Sequence, residues 1–343
     1  MKECKFGSHR VIRPQGVLPQ PALKVDPSLP ITSNEILIDV ETLNIDSASF
    51  TQIKDVCGND ASKMEAMILD IVKDRGKMQN PVTGSGGMLI GVVKEIGANF
   101  PDKSLKVGDK ICTLVSLSLT PLVIDKINKV NVETDQVDID GYAILFETGI
   151  YAVIPEDLPE KLVLAALDVA GAPAQVDKLV KSGDSVVIIG AAGKSGVLCT
   201  YQAKINAGDN GKVIGIVYND AEASLLKELG FADEVIVADA TDSIELYNKV
   251  LAANNSEQVD VTVNVVNVEN TEMGSILITK DSGVVYFFSM ATSFTKAALG
   301  AEGVGSDVTM IVGNGYTKGH ALLTIDIVRK SEKIRDLYTN KYL

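Results

Sequence analysis

Apolar and polar positions change rhythm near the middle of the chain. From Glu35 to about Asp140 the runs are short and bounded by turn residues: NEILIDVETLNI, alternating over its first half, then MLIGVVKEIG and KVGDKICTLVSL. Alternation with a period of two predicts half-buried strands, and several such runs in series predict a β-rich barrel or sandwich. One stretch breaks the pattern. Ala61 to about Arg75 (ASKMEAMILDIVKDR) sets Met64, Met67, Ile68 and Ile71 at helical spacing, which predicts a helix whose methionines fill a core.

Beyond Pro155 the strands become continuously apolar: SVVIIG, KVIGIVY, EVIV, VDVTVNVV and GVVYFF. Helical stretches separate them, among them AEASLLKELG and SIELYNKVLAANN. Strands of that kind are buried on both faces, so the second half predicts a doubly wound parallel sheet covered by helices. DVTMIVGNGY reads as a sixth strand and LLTIDIVRKSEKIRDLY as one or two terminal helices. The expected organisation is α/β: a β-rich domain over 1–154, a Rossmann-like domain over 155–329, and a tail, 330–343, that packs back on the first.

Composition narrows the functions. With 343 residues the chain is long enough for two domains, and 46% hydrophobic against 22% charged residues is a globular balance. A net charge of −13, with no basic stripe, argues against nucleic acid. No apolar run is long enough to span a membrane and no leader-like segment opens the chain, so the cytoplasm is expected. Cys4, Cys57, Cys112 and Cys199 are scattered without a CxxC spacing, which argues against a disulfide framework or zinc ribbon.

The richest stretch is SVVIIGAAGKSGVLCTYQAKINAG. Gly190, Gly193 and Gly196, interleaved with Ala192, Lys194 and Ser195, form a GxxGxxG turn between a strand and a helix. Glycine geometry permits the tight turn and close backbone approach, while a helix N-terminus offers free N–H groups to a pyrophosphate. The next strand ends at Val217, Tyr218 and Asn219, with Asp220 late for the acid that usually meets the adenosine ribose. No Arg or Lys follows directly, so NAD is expected ahead of NADP, which stays open. Asn264 to Asn267, including Val265, then Ser289 and Asn314, follow later strand ends where a dinucleotide is contacted.

From about Glu35 to about Tyr316 the chain resembles the medium-chain dehydrogenase/reductase superfamily, with GVVKEIGANFPDKSLKVGDKI similar to its GxVxxVGxxVxxxxxGDxV signature. The resemblance implies a GroES-like catalytic domain followed by a Rossmann domain. Zinc-dependent members carry a His and a Glu in a GHExxGxV motif; laid on GGMLIGVV, those places fall on Gly87 and Met88. The cysteine ligand's place falls on Asp46 in LNIDSASF, and the third ligand's near Val169. A lone carboxylate does not hold zinc, so no metal is expected and the glycine-rich stretch reads as a tight turn beside the site. Within the superfamily, FGSHRVIRPQGVLPQPA, NPVTGSGGMLIG, IGAAGKSG and VGNGY are similar to the dehydrogenases that oxidatively deaminate a diamino acid in anaerobic lysine fermentation. That resemblance implies a small diamino acid substrate, hydride loss from C3, water addition to the imine and release of ammonia.

Asp46 is the first candidate for catalysis; a turn cap in NIDSAS is its alternative use. Ser47, His9 and Glu147 are further catalytic candidates. Arg10 and Arg13 suit a substrate carboxylate, Asp168 a second ammonium, and Gly87 and Met88 border the same place. A zinc-free quinone or enoyl reductase, or a non-catalytic dinucleotide-binding protein, are the competing readings. DVTMIVGNGY, read as an edge strand, leads to an expected homodimer.

Overall fold

The alternating runs of the first half become one antiparallel sheet. The computed structural model describes residues 3–289, 291–313 and 315–342, and the chain divides into two units, Met1–Glu156 and Asp157–Leu343. The first contains β1 (Val11–Arg13), β2 (Lys24–Val25), β3 (Glu35–Ile45), α1 (Ser47–Cys57), α2 (Ala61–Arg75), β4 (Gly87–Ile96), β5 (Lys110–Thr113), β6 (Leu122–Asn131), β7 (Gln136–Phe146) and β8 (Tyr151–Val153). β1 and β2 form a small ribbon, and the other strands make a six-stranded sheet in the order β6-β7-β3-β4-β5-β8.

Local chemistry sets the helices. Asp46 caps α1 and Asp60 caps α2, while Gly58 and Gly76 end them in the left-handed conformation. Ile36, Ile38, Leu43 and Ile45 of β3 share a core with Phe50 and Ile53 of α1 and Met64 and Ile68 of α2. The expected helix is α2; α1 is an addition, formed where NIDSAS reads as a turn.

Lys77 pins the segment between β1 and β2. Its fully buried Nζ donates to the carbonyls of Pro19 at 2.6 Å and Gln20 at 3.1 Å. Burial, with Arg75 nearby, pushes the amine down to about 8.

The second unit holds α3 (Glu160–Leu167), α4 (Gly171–Leu179), β9 (Ser185–Ile189), α5 (Lys194–Ala207), β10 (Lys212–Val217), α6 (Asp220–Leu229), β11 (Glu234–Val237), α7 (Ser243–Ala253), β12 (Val259–Asn264), α8 (Glu272–Leu277), β13 (Thr279–Phe287), α9 (Phe294–Val304), β14 (Thr309–Val312), α10 (His320–Lys330) and α11 (Glu332–Tyr342). Six parallel strands lie in the order β11-β10-β9-β12-β13-β14. From β9 the chain winds outward one way, and from β12 the other. A crevice opens where the order reverses, at the C-terminal ends of these strands. The tail helix α11 packs against α3 and α5, and its Ile334 and Tyr338 join the core of this unit.

Candidate functional site

β3 delivers Asp46 to the first corner of interest. Oδ1 caps α1 by accepting from the Ser49 N–H at 3.1 Å, whereas Oδ2 is buried with no hydrogen-bond partner among the described residues. Beside it, Gly87 pairs with Ile45 and Met88 with Asn44, and the Asp46 N–H reaches the Gly86 carbonyl at 3.4 Å. Gly87 has φ +107°, and a Cβ there would lie 2.0 Å from the Asn44 carbonyl oxygen and 2.7 Å from the Asp46 nitrogen. The glycines therefore serve close backbone approach beside the carboxylate.

The loop before them is fastened to α1. Asn80 donates to the Ser49 carbonyl at 3.3 Å and to Gln52 Oε1 at 2.7 Å, and accepts from the Val82 and Thr83 N–H groups. The buried Ser49 hydroxyl meets Thr83 Oγ1 at 2.6 Å and Ser85 Oγ at 2.8 Å. Ser47 turns to the β6–β7 hairpin instead, donating to Asp135 Oδ2 at 3.1 Å. Asn80, Thr83 and Ser85 were not singled out from the sequence; NPVTGSGG shows a turn but not what it packs on.

Three candidates sit at the other end of β3, and their grouping with Asp46 is corrected. Glu35 pairs with Phe146 at that end, while Asn44 pairs with Gln136 near Asp46, roughly 30 Å away along the strand. Arg10 is buried there and spends all its donors on the fold: Nε and Nη2 grip Glu35 at 2.6 and 2.7 Å, and the rest meet the carbonyls of Asp26, Ser28 and Pro30. No donor is left for a substrate carboxylate. His9 accepts from the Cys4 N–H through Nδ1, so the proton on Nε2 is the one shared with Glu35 at 2.9 Å. Burial opposes the charge on Glu35, but Arg10, the Thr32 N–H and His9 outweigh it and hold the carboxyl below its usual range. Glu147 follows the same strand end and accepts from Asn34 at 3.4 Å. Arg13 lies exposed, 4.0 Å from Asp74.

The second unit carries the other site. A cleft of about 450 Å³ opens at the ends of β9 to β12, lined by Gly190, Gly193, Tyr218, Val265 and Asn267. Gly193 precedes α5 with no side-chain cap, so the positive end of the helix faces the turn, and a Cβ on Gly196 would lie 2.0 Å from the Gly190 carbonyl oxygen. Ala192 and Ser195 are buried in the turn. Lys194 Nζ bonds Asp168 at 2.8 Å, which places Asp168 beside the glycine turn in this unit, and the Tyr338 hydroxyl donates to the Lys194 carbonyl at 2.6 Å. Asn219 caps α6, and Ser289 donates to Asn267 at 3.3 Å. Asn314 lies outside the described residues.

Two cleft carboxylates were missed. Glu222 and Asp239 both line it, with Thr241. The Thr241 hydroxyl, at 2.7 Å, and N–H, at 2.9 Å, bond Asp239 Oδ1 and hold its pKa below the usual range. The spacing Asn219-x-x-Glu222 is a capping signature that could have drawn attention to Glu222. Among the described residues, no three His, Cys, Asp or Glu side chains gather as a metal site.

A protein of Acetoanaerobium sticklandii named L-erythro-3,5-diaminohexanoate dehydrogenase is 61% identical over 344 residues, covering 100% of both chains. One of the same name from Fusobacterium nucleatum is 60% identical over 343 residues, covering 100% of this chain and 99% of its own. The chain belongs to the L-erythro-3,5-diaminohexanoate dehydrogenase family. Residues 9–155 match the model of that family's N-terminal domain. Of solved structures, the CurK enoyl reductase superposes with a TM-score of 0.54 at 15% identity, covering 96% of this chain and 85% of that one. A Thermotoga maritima alcohol dehydrogenase gives 0.54 at 16%, covering 90% and 86%. Those likenesses carry the fold, a GroES-like unit with a Rossmann unit, as the motifs implied.

Proposed function

We propose that this chain oxidatively deaminates L-erythro-3,5-diaminohexanoate with NAD, giving 5-amino-3-oxohexanoate and ammonia, and does so without zinc. The observation that carries the reading is the buried, unpartnered Oδ2 of Asp46. A buried carboxylate oxygen without a donor is costly, and a ligand that brings N–H groups relieves it. An ammonium does so; the carbonyl of an enone or quinone brings no donor.

Asp46 then holds the C3 amine and accepts one proton from it, leaving a neutral amine whose lone pair expels the C3 hydride. NAD, when bound, supplies the acceptor for that hydride. Water adds to the iminium carbon and ammonia departs, so one ammonium substrate, one NAD and one water give one ketone, one reduced cofactor, one ammonium ion and one proton. The uncapped α5 terminus and the glycine turn suit the pyrophosphate. Among the described residues no lysine or arginine lines the cleft, which favours NAD over NADP. Of Asp46, Gly87, Met88 and Val169, the places of the superfamily's zinc ligands, Asp46 alone is a carboxylate, where zinc takes three or four ligands.

The enzyme is expected in the cytoplasm, where its four cysteines stay reduced. A homodimer through the edge strand β14 is part of the same reading; Val312 on that strand and Phe294 and Leu299 on α9 are exposed apolar side chains. The test incubates purified protein with the diamino acid and NAD or NADP in parallel, with and without a chelator, following reduced nicotinamide and free ammonia. Equal yields of both with NAD, unchanged by the chelator, are expected; neither product with either cofactor refutes the assignment, and loss of both on chelation refutes zinc independence.

A further inference from the structure

We propose that Glu222, on the first turn of α6, is the residue that accepts from the adenosine ribose hydroxyl and rejects a 2′-phosphate. The inference rests on the dinucleotide reading above and says which group in the cleft tells the two cofactors apart. The strand end itself offers no acid: Tyr218 occupies it with its side chain mostly exposed, and the neutral Asn219 amide caps α6 by accepting from the Glu222 N–H at 2.9 Å. Glu222 is on the cleft wall, whereas Asp220 is not.

Its geometry leaves one oxygen for a ligand. Oε2 accepts from the Tyr218 N–H at 3.0 Å, which fixes the carboxylate against the strand end, and Oε1 takes no hydrogen bond among the described residues. A capping role needs only one of the two oxygens. Across the cleft, Asp239 adds a second carboxylate, its Oδ1 held by Thr241. A ribose hydroxyl donates to Oε1, a charge-assisted bond. A 2′-phosphate instead brings a charge of about −1.5 to −2 against two carboxylates, with no cation among the described residues of the wall to meet it.

Glu222→Gln separates this role from capping, because the amide oxygen still accepts from Tyr218 while the charge is gone. Dissociation constants for NAD and NADP are measured by calorimetry on the wild type and the variant, with melting temperatures alongside. Preference for NAD should shrink by about tenfold or more with melting unchanged. Glu222→Lys should move preference further toward NADP. A ratio in Glu222→Gln equal to that of the wild type overturns the proposal, including the case where both cofactors weaken together. Wild type that oxidises the diamino acid with NAD while the ratio stays fixed leaves the dehydrogenase reading standing; wild type that binds neither cofactor overturns both.

Discussion

Asp46 uses its oxygens differently: one caps α1, and the other is buried with no hydrogen-bond partner among the described residues. On the proposed mechanism Asp46→Asn keeps an oxygen for the cap and removes the base, so turnover should fall by about a hundredfold or more while the affinity for NAD stays unchanged. Steady-state kinetics with a direct cofactor titration checks this; an unaltered kcat would remove Asp46 from the mechanism. Asp46 stood out in the sequence because the superfamily motif laid a ligand's place on it, and its capping of α1 is the alternative use that NIDSAS also suggested. Arg10 was not legible, since a charged side chain in an unusual segment looks available until Asp26, Ser28, Pro30 and Glu35 are seen closing around it. Glu222 escaped for the opposite reason: an acid is expected at the strand end, and this one comes from the helix that follows.

At the level of elements, the parallel strands and the GxxGxxG turn were readable because continuous apolar runs and glycines leave a strong local signal. α1 was hidden behind NIDSAS, which reads equally as a turn; Phe50, Ile53 and Cys57 behind it hold the helical spacing that reveals it. Strand pairing was beyond the sequence, and pairing separates Asp46 from His9, Arg10 and Glu147. The junction of β3, α1 and β4 closes on the bare Cα of Gly87. Gly87→Ala forces a Cβ against the Asn44 carbonyl in a left-handed conformation, so it should cost about 2 kcal/mol or more of stability. Denaturant unfolding measures it, and a variant as stable as the wild type would show that the two strands give way.

For the molecule as a whole, folding stability should carry the mark of Lys77. Its pKa in the folded state is depressed to about 8, so between there and the ordinary lysine range the unfolded chain binds more protons. Stability from this group therefore rises with pH across that window, and burial of the charge counts fully against the fold below it. Unfolding free energies at neutral and alkaline pH should show the wild type gaining relative to Lys77→Met; a pH-independent difference would place the amine elsewhere on the scale. The glycine at 87 has one more consequence, for what the position accepts. The superfamily resemblance lays the histidine of its zinc-dependent members on that place, and here the carbonyl of Asn44 occupies the space its first side-chain carbon would need. Any side chain at 87, a metal ligand included, requires the backbones of β3 and β4 to part first, so one substitution alone does not install one there.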